Sequence, residues 1–199
     1  MRINMRVSLT MWLILAAVSI APAAAQTESV SAAEPGPELA LTYTYLHANA
    51  PPGGCECFSM NGGGVSFAYP VSHSFSVVGE AGAVTNGNVD STGLNFTLSH
   101  YMGGGRYSLR RFSRFTPFAQ IVMGAAHASG DLAPDQLHIG SSTAFAMAAG
   151  GGLDLNLTHH VAVRLFQTDY LLTLLNNRVN DHQNNFRFST GIVFHFGKS

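Results

Sequence analysis

The segment Phe186-Arg-Phe-Ser-Thr-Gly-Ile-Val-Phe-His-Phe196 sets an aromatic, aliphatic or β-branched residue at every second position. Phe186, Phe188, Thr190, Ile192, Phe194 and Phe196 share one parity. Arg187, Ser189, Gly191, Val193 and His195 share the other. A period of two is that of an extended strand with one apolar and one polar face. A tilted strand of about ten residues crosses the hydrocarbon core of a bilayer, and this one is long enough.

Composition indicates what the apolar face would meet. The chain is 46% hydrophobic and only 11% charged, against about 25% charged residues in ordinary soluble domains. Lys198 is its only lysine. A soluble domain wets its surface with Lys and Glu, so a chain with so few is expected to turn its surface toward lipid. The net charge of −1 comes without a basic run or an Arg/aromatic platform. Nucleic-acid binding has no support.

The N-terminus reads as an address. Arg2 and Arg6 precede an apolar run over residues 7–21, and Ala23-Ala24-Ala25 fits a small-residue cleavage site. Residues 1–25 are therefore expected to be a cleaved signal peptide, 26–37 a flexible lead, and 38–199 the folded domain. No later apolar run is long enough for a helical span, which leaves strands as the crossing element.

Eight strand-like stretches follow, at 38–47, 58–69, 74–83, 92–110, 115–128, 140–156, 161–172 and from about 184. In the first, Leu39, Leu41, Tyr43 and Tyr45 alternate with Ala40, Thr42 and Thr44. In the fourth, the apolar parity changes: Leu94, Phe96 and Leu98 are even, Tyr107 and Leu109 odd. A bulge or glycine kink at Gly103-Gly104-Gly105 is the expected cause. Short connections near Val71, Phe112 and Thr158 alternate with longer ones centred near Pro52, Gly87, Ala133 and Asn180. An even strand count with short turns at one end and long loops at the other is the pattern of an outer-membrane barrel. The competing architecture, a soluble lipocalin-like barrel or sandwich, would turn the apolar face inward and carry more charge outside.

The segment Phe188-x-Thr-Gly-Ile-x-Phe-x-Phe196, the eight-strand rhythm and Arg114-Phe-Thr-Pro-Phe-Ala-Gln120 resemble small outer-membrane β-barrels of the OmpA transmembrane-domain type. The resemblance covers roughly residues 38–196. It implies an all-β, eight-stranded antiparallel up-and-down transmembrane barrel with four extracellular loops and a side-chain-filled lumen. It also implies outer-membrane lipids, lipopolysaccharide and the barrel assembly machinery as partners, a monomeric state, and Phe188, Ile192, Phe194 and Phe196 as a terminal strand signal. Neither a cofactor nor a metal is implied.

The polar parity is mostly small residues with isolated charges. Glu80, Asp154, Arg164 and Arg187 fall on the inward parity of four strands, and buried charges must pair. Two roles stay open for them, a structural lumen network or a gate for small ions. Arg106 belongs to the same parity. Cys55-Glu-Cys57, in the first long loop, could close a strained local disulfide or link two chains; a metal or redox role would need more ligands than His47 nearby. The histidines lack the spacing of a metal site. His127-Ala-Ser129 could be part of a lipid hydrolase dyad, but no acid or oxyanion signature accompanies it. Glu56, Asp90, Asp131, Asp135 and Asp181 sit in loops, where divalent cations could bridge them to lipopolysaccharide phosphates. The functional expectation is a structural, surface-exposed barrel rather than an enzyme, with a narrow solute or ion channel as the alternative.

Overall fold

The computed structural model describes residues 35–48, 58–89, 94–112, 114–130, 142–175 and 182–197. The expected signal peptide, Cys55, Cys57 and the five loop acids lie outside them. Eight strands are present: β1 (Glu38–Ala48), β2 (Phe58–Pro70), β3 (Phe75–Val89), β4 (Leu94–Ser108), β5 (Phe115–Gly130), β6 (Ser142–Asn156), β7 (Val161–Thr173) and β8 (Gln183–His195). Each pairs antiparallel with its sequence neighbours, and β1 pairs with β8 to close the barrel. Closure satisfies every edge, which a sheet in hydrocarbon requires.

Alternation is what seats the side chains. In β1, Leu41, Tyr43 and Tyr45 face out while Ala40, Thr44 and Leu46 are buried inside. In β8, Phe186, Phe188 and Ile192 face out, as does Phe196 just beyond it, while Asn185, Arg187, Ser189 and Val193 are buried. Large exposed apolar side chains occur on the outer face of every strand. A surface of that kind belongs in lipid rather than water; the soluble alternative is set aside.

Two expectations need correction. There is no bulge at Gly103-Gly104-Gly105: β4 keeps one register with β5 from Phe96 to Ser108, and with β3 through Gly79↔Gly103. Phe96 and Leu98 are apolar on the even parity because they face the lumen, whereas Tyr101 and Tyr107 face outward. The environment of each face changes along the strand; the parity does not. Second, Gly87 is not the centre of a long loop. It lies in β3, which runs to Val89, so the connection to β4 is only residues 90–93.

The register does shift elsewhere. Arg164 pairs with Gly191 and Gln167 with Ser189, leaving Leu165 and Phe166 together opposite Thr190. Both residues of the bulge point outward. This bulge reverses the parity of β7, so the inward set changes from Ala162 and Arg164 to Gln167, Asp169, Leu171 and Thr173.

The glycine runs belong to close strand approach. A Cβ on the inward Gly104 would overlap the Ile121 carbonyl, and one on Gly150 would overlap that of Thr168. The outward Gly79 and Gly103 are uncrowded by comparison.

Candidate functional site

The lumen holds a continuous chain of charged and amide side chains. Arg110 donates from Nη2 to Glu38 Oε1 at 2.6 Å, and Arg106 Nη1 lies 3.6 Å from Glu38 Oε2. Arg106 donates from Nε and Nη2 to Gln120 Oε1 at 3.1 and 2.9 Å. Gln120 Nε2 then donates to Glu80 Oε2 at 3.3 Å. On the other side of Glu80, Arg187 Nη1 donates to Oε1 at 2.7 Å. Arg187 also donates from Nε and Nη2 to Asp169 Oδ2 at 2.9 and 2.7 Å. Gln167 Nε2 reaches the same oxygen at 2.8 Å and accepts on Oε1 from Arg164 Nη1 at 2.8 Å. Arg164 ends the chain on Asp154 with a fork at 2.8 and 3.0 Å.

Four acids thus meet four arginines, so the lumen is balanced apart from its histidines. Arg106, Arg164 and Arg187 are at most 4% exposed. Charges so deep are tolerable only when paired and hydrogen-bonded. Phe118 supplies another contact, with Arg106 and Arg164 lying 4.6 and 4.4 Å from its ring centroid. His100 Nε2 is 3.1 Å from Arg187 Nη1.

Of the residues singled out from the sequence, Glu80 meets Arg187 and Asp154 meets Arg164. The two pairs join through Asp169 and Gln167, which sequence reasoning missed. The bulge explains the omission: by strict alternation from Arg164, Asp169 counts as outward. In the sequence Glu38 marks only the start of a strand, and Arg110 only the end of the 92–110 stretch. Gln120 lies on the parity opposite Ile121 and Met123, but nothing in the sequence names its partner.

Little space remains. Thr42, Thr44, Ser66, Glu80, His100 and Arg187 are among the side chains lining a cavity of about 20 Å³, enough for a single water. Asp169 Oδ1, Thr173 Oγ1 and Asn185 Oδ1 are buried without a hydrogen-bond partner among the described residues. Toward the long-loop end the lumen becomes apolar, packed by Leu46, Met60, Val84, Leu98, Ala126, Ala146 and Leu171. At the short-turn end Ala40, Ala162 and Val193 form a small apolar patch. Solute movement along the axis would have to disrupt both an ion-pair layer and a packed apolar layer.

Other candidates are placed as follows. His127 faces outward, with Nδ1 2.8 Å from Thr143 Oγ1; its bond is to Thr143, not to Ser129. Tyr43 and Tyr45 face outward on β1, donating to Asn61 Oδ1 and contacting Ser59 Oγ, both at 2.6 Å. Phe188, Ile192, Phe194 and Phe196 follow the outward parity of β8. Among the described residues no group of three or more His, Cys, Asp or Glu is arranged to hold a metal ion.

A barrel closed by eight antiparallel strands, apolar outside and filled by ion pairs within, is the architecture of small outer-membrane proteins. The family model for the outer membrane protein beta-barrel domain matches residues 13–196. The chain belongs to that family. Among solved structures it is similar to Neisserial surface protein A, with a TM-score of 0.64 at 15% identity, covering 81% of this chain and 97% of that one. It is also similar to Ail, the attachment invasion locus protein of Yersinia pestis, with a TM-score of 0.57 at 14% identity, covering 82% and 99%. At such identities the likeness is one of fold. No curated protein matches the chain by sequence.

Proposed function

We propose that this member of the outer-membrane barrel family is a non-enzymatic surface protein. It spans the outer membrane as a closed, occluded scaffold and presents its four long-loop-end connections to the exterior. The observation that carries this reading is the filled lumen. Among the described residues, the ion-pair chain from Arg110 to Asp154, the cavity of about 20 Å³ and the apolar packing around Leu46 and Leu98 support an occluded axis. Such a barrel contributes rigidity, and variation in function falls to its loops. Ail, which shares the fold, was crystallised with the heparin analogue sucrose octasulfate, so ligand recognition is compatible with such a scaffold.

In this reading the chain is exported by way of residues 1–25. The barrel assembly machinery receives it through the outward face of β8, at Phe188, Ile192, Phe194 and Phe196. It then stands as a monomer among outer-membrane lipids and lipopolysaccharide. The loop acids would meet lipopolysaccharide phosphates through divalent cations.

The test is conductance. The refolded barrel, added to planar bilayers after a heat-dependent shift on SDS gels has shown that it is folded, is expected to stay electrically silent under voltage. Discrete, reproducible steps would replace the occluded scaffold by the narrow-channel reading and make Glu80 and Arg187 candidates for its gate.

A further inference from the structure

The three short turns repeat one pattern that barrel closure does not require. Each runs apolar, hydroxyl, basic: Val71-Ser72-His73, Phe112-Ser113-Arg114 and Leu157-Thr158-His159. In two of them the hydroxyl has a structural duty. Ser72 Oγ accepts from the Phe75 amide at 3.1 Å, and Thr158 Oγ1 from the amides of Val161 and His160 at 3.0 and 3.2 Å. Their backbones close alike, with Val71 and Ser72 donating to Phe75 O, and Leu157 and Thr158 to Val161 O. The flanking side chains have no such duty. Val71, Phe112 and Leu157 are 57%, 60% and 59% exposed, unusual for large apolar residues at the tips of tight turns.

Directly above the turns stands a belt of outward aromatics, Tyr69, Phe75, Tyr107, Phe115 and Phe196. Such belts sit at headgroup level, which puts the turn tips in the headgroup layer itself. Among the described residues the exposed, fixed charge there has one sign. Arg110 is held inward by Glu38 and by His73 O, but the Arg111 and Arg114 side chains are exposed and have no partner among the described residues. Glu38, the acid at this end of the lumen, is buried under Arg106 and Arg110.

We propose that the short-turn rim is a lipid-anchoring site that takes the phosphodiester of an anionic phospholipid. Arg111 and Arg114 hold the phosphate, while Val71, Phe112 and Leu157 pack among the headgroups beneath the aromatic belt. The occupant is a lipid of the leaflet in which the rim sits, which for short turns is the periplasmic one; the assignment rests on the outer-membrane orientation proposed above. A guanidinium matches a phosphate by charge and by paired donors, and basic side chains beside a membrane are attracted to anionic headgroups.

The experiment is native mass spectrometry of the detergent-refolded full chain, supplied with phosphatidylglycerol or phosphatidylcholine of identical acyl chains. Wild type is expected to retain phosphatidylglycerol several-fold more than phosphatidylcholine. High salt should erase that preference, and so should R111Q/R114Q in a variant that still shows the heat-dependent gel shift. V71S/F112S/L157S should lower retention of both lipids alike. Equal retention of the two lipids by wild type overturns the proposal, as does a preference untouched by both salt and R111Q/R114Q. Complete displacement of phosphatidylglycerol by inorganic phosphate would overturn the lipid assignment in favour of a free-anion site. If the barrel reading itself were wrong, the gel shift would be missing before any lipid was added.

Discussion

At the short-turn end of β4, Arg106 and Ser108 face the lumen while Tyr107 faces out; toward the other end, Leu98 faces the lumen while Thr97 and Ser99 face out. The same exchange occurs in neighbouring strands. Outward Val65, Phe67 and Tyr69 in β2 give way to outward Asn61 and Ser59, and inward Ser66 gives way to inward Met60. Cross-strand register lines up the polar outer residues: Asn61 opposite Thr85, Thr85 opposite Thr97, and Thr97 opposite Ser129. Thr97 Oγ1 donates to Thr85 Oγ1 at 3.2 Å, and Thr85 Oγ1 to Phe96 O at 3.1 Å. One half is patterned as a membrane barrel, polar within and apolar without; across β2 to β5 the other half is patterned as a soluble one. On β6 to β8 the outer face stays apolar further up, through Phe145, Leu174 and Phe186. The exchange marks where the outer surface leaves the hydrocarbon, and each half then has its own way of failing.

The largest loss is expected from the charged half. Arg187→Met removes the cation shared by Glu80 and Asp169. An acid stripped of a buried partner costs about 3–5 kcal/mol. Urea unfolding of the barrel in lipid vesicles, followed by circular dichroism, should show that drop. A change near zero would mean that the lumen admits enough water to solvate the acids.

The apolar half should respond to volume instead. Leu98→Ala opens a cavity among Val84, Leu46 and their neighbours, and buried Leu→Ala substitutions cost about 2–5 kcal/mol. A loss well below that range would show that this end repacks or is already hydrated.

A charge placed on the outer surface tests the boundary directly. Ile121→Arg sits on the apolar outer band and should cost about 2–4 kcal/mol, the range for a cation at the bilayer midplane, whereas Thr97→Arg in the polar row should cost under about 1 kcal/mol. Equal penalties in vesicle unfolding would erase the boundary, because both positions would then lie at one depth.

Much of this was legible in the sequence, and each miss has its own physical cause. Alternation located all eight strands because a closed barrel gives every strand two distinct faces. It placed Glu80, Asp154, Arg164 and Arg187 on the polar parity for the same reason. Where the two environments exchange, as between Leu98 and Tyr101, alternation reports a change of parity that did not occur; that produced the expected bulge at Gly103. The true bulge at Leu165-Phe166 was silent because both residues are large and apolar and suit lipid equally well. Asp169 was lost with it. Pairing within the lumen was unreadable, since it depends on strand stagger rather than on any single strand.

The smallest effect should come from His127, and it bears on the same boundary. Its ring faces outward beside Thr143, 2.8 Å from the hydroxyl. If this surface is wetted, His127→Ala exchanges that bond for water and should change stability by less than about 0.5 kcal/mol. Were the surface in hydrocarbon, the Thr143 hydroxyl would be stranded, at a cost of about 1–3 kcal/mol. The same variant addresses the hydrolase alternative. Incubation of the folded barrel with outer-membrane lipid should yield no deacylated product from either wild type or variant, because a nucleophilic dyad would need His127 engaged with Ser129 and an acid behind it. Product from wild type that disappears in His127→Ala would reverse that conclusion and convert the polar outer row from a wetted surface into a lipid-facing active site.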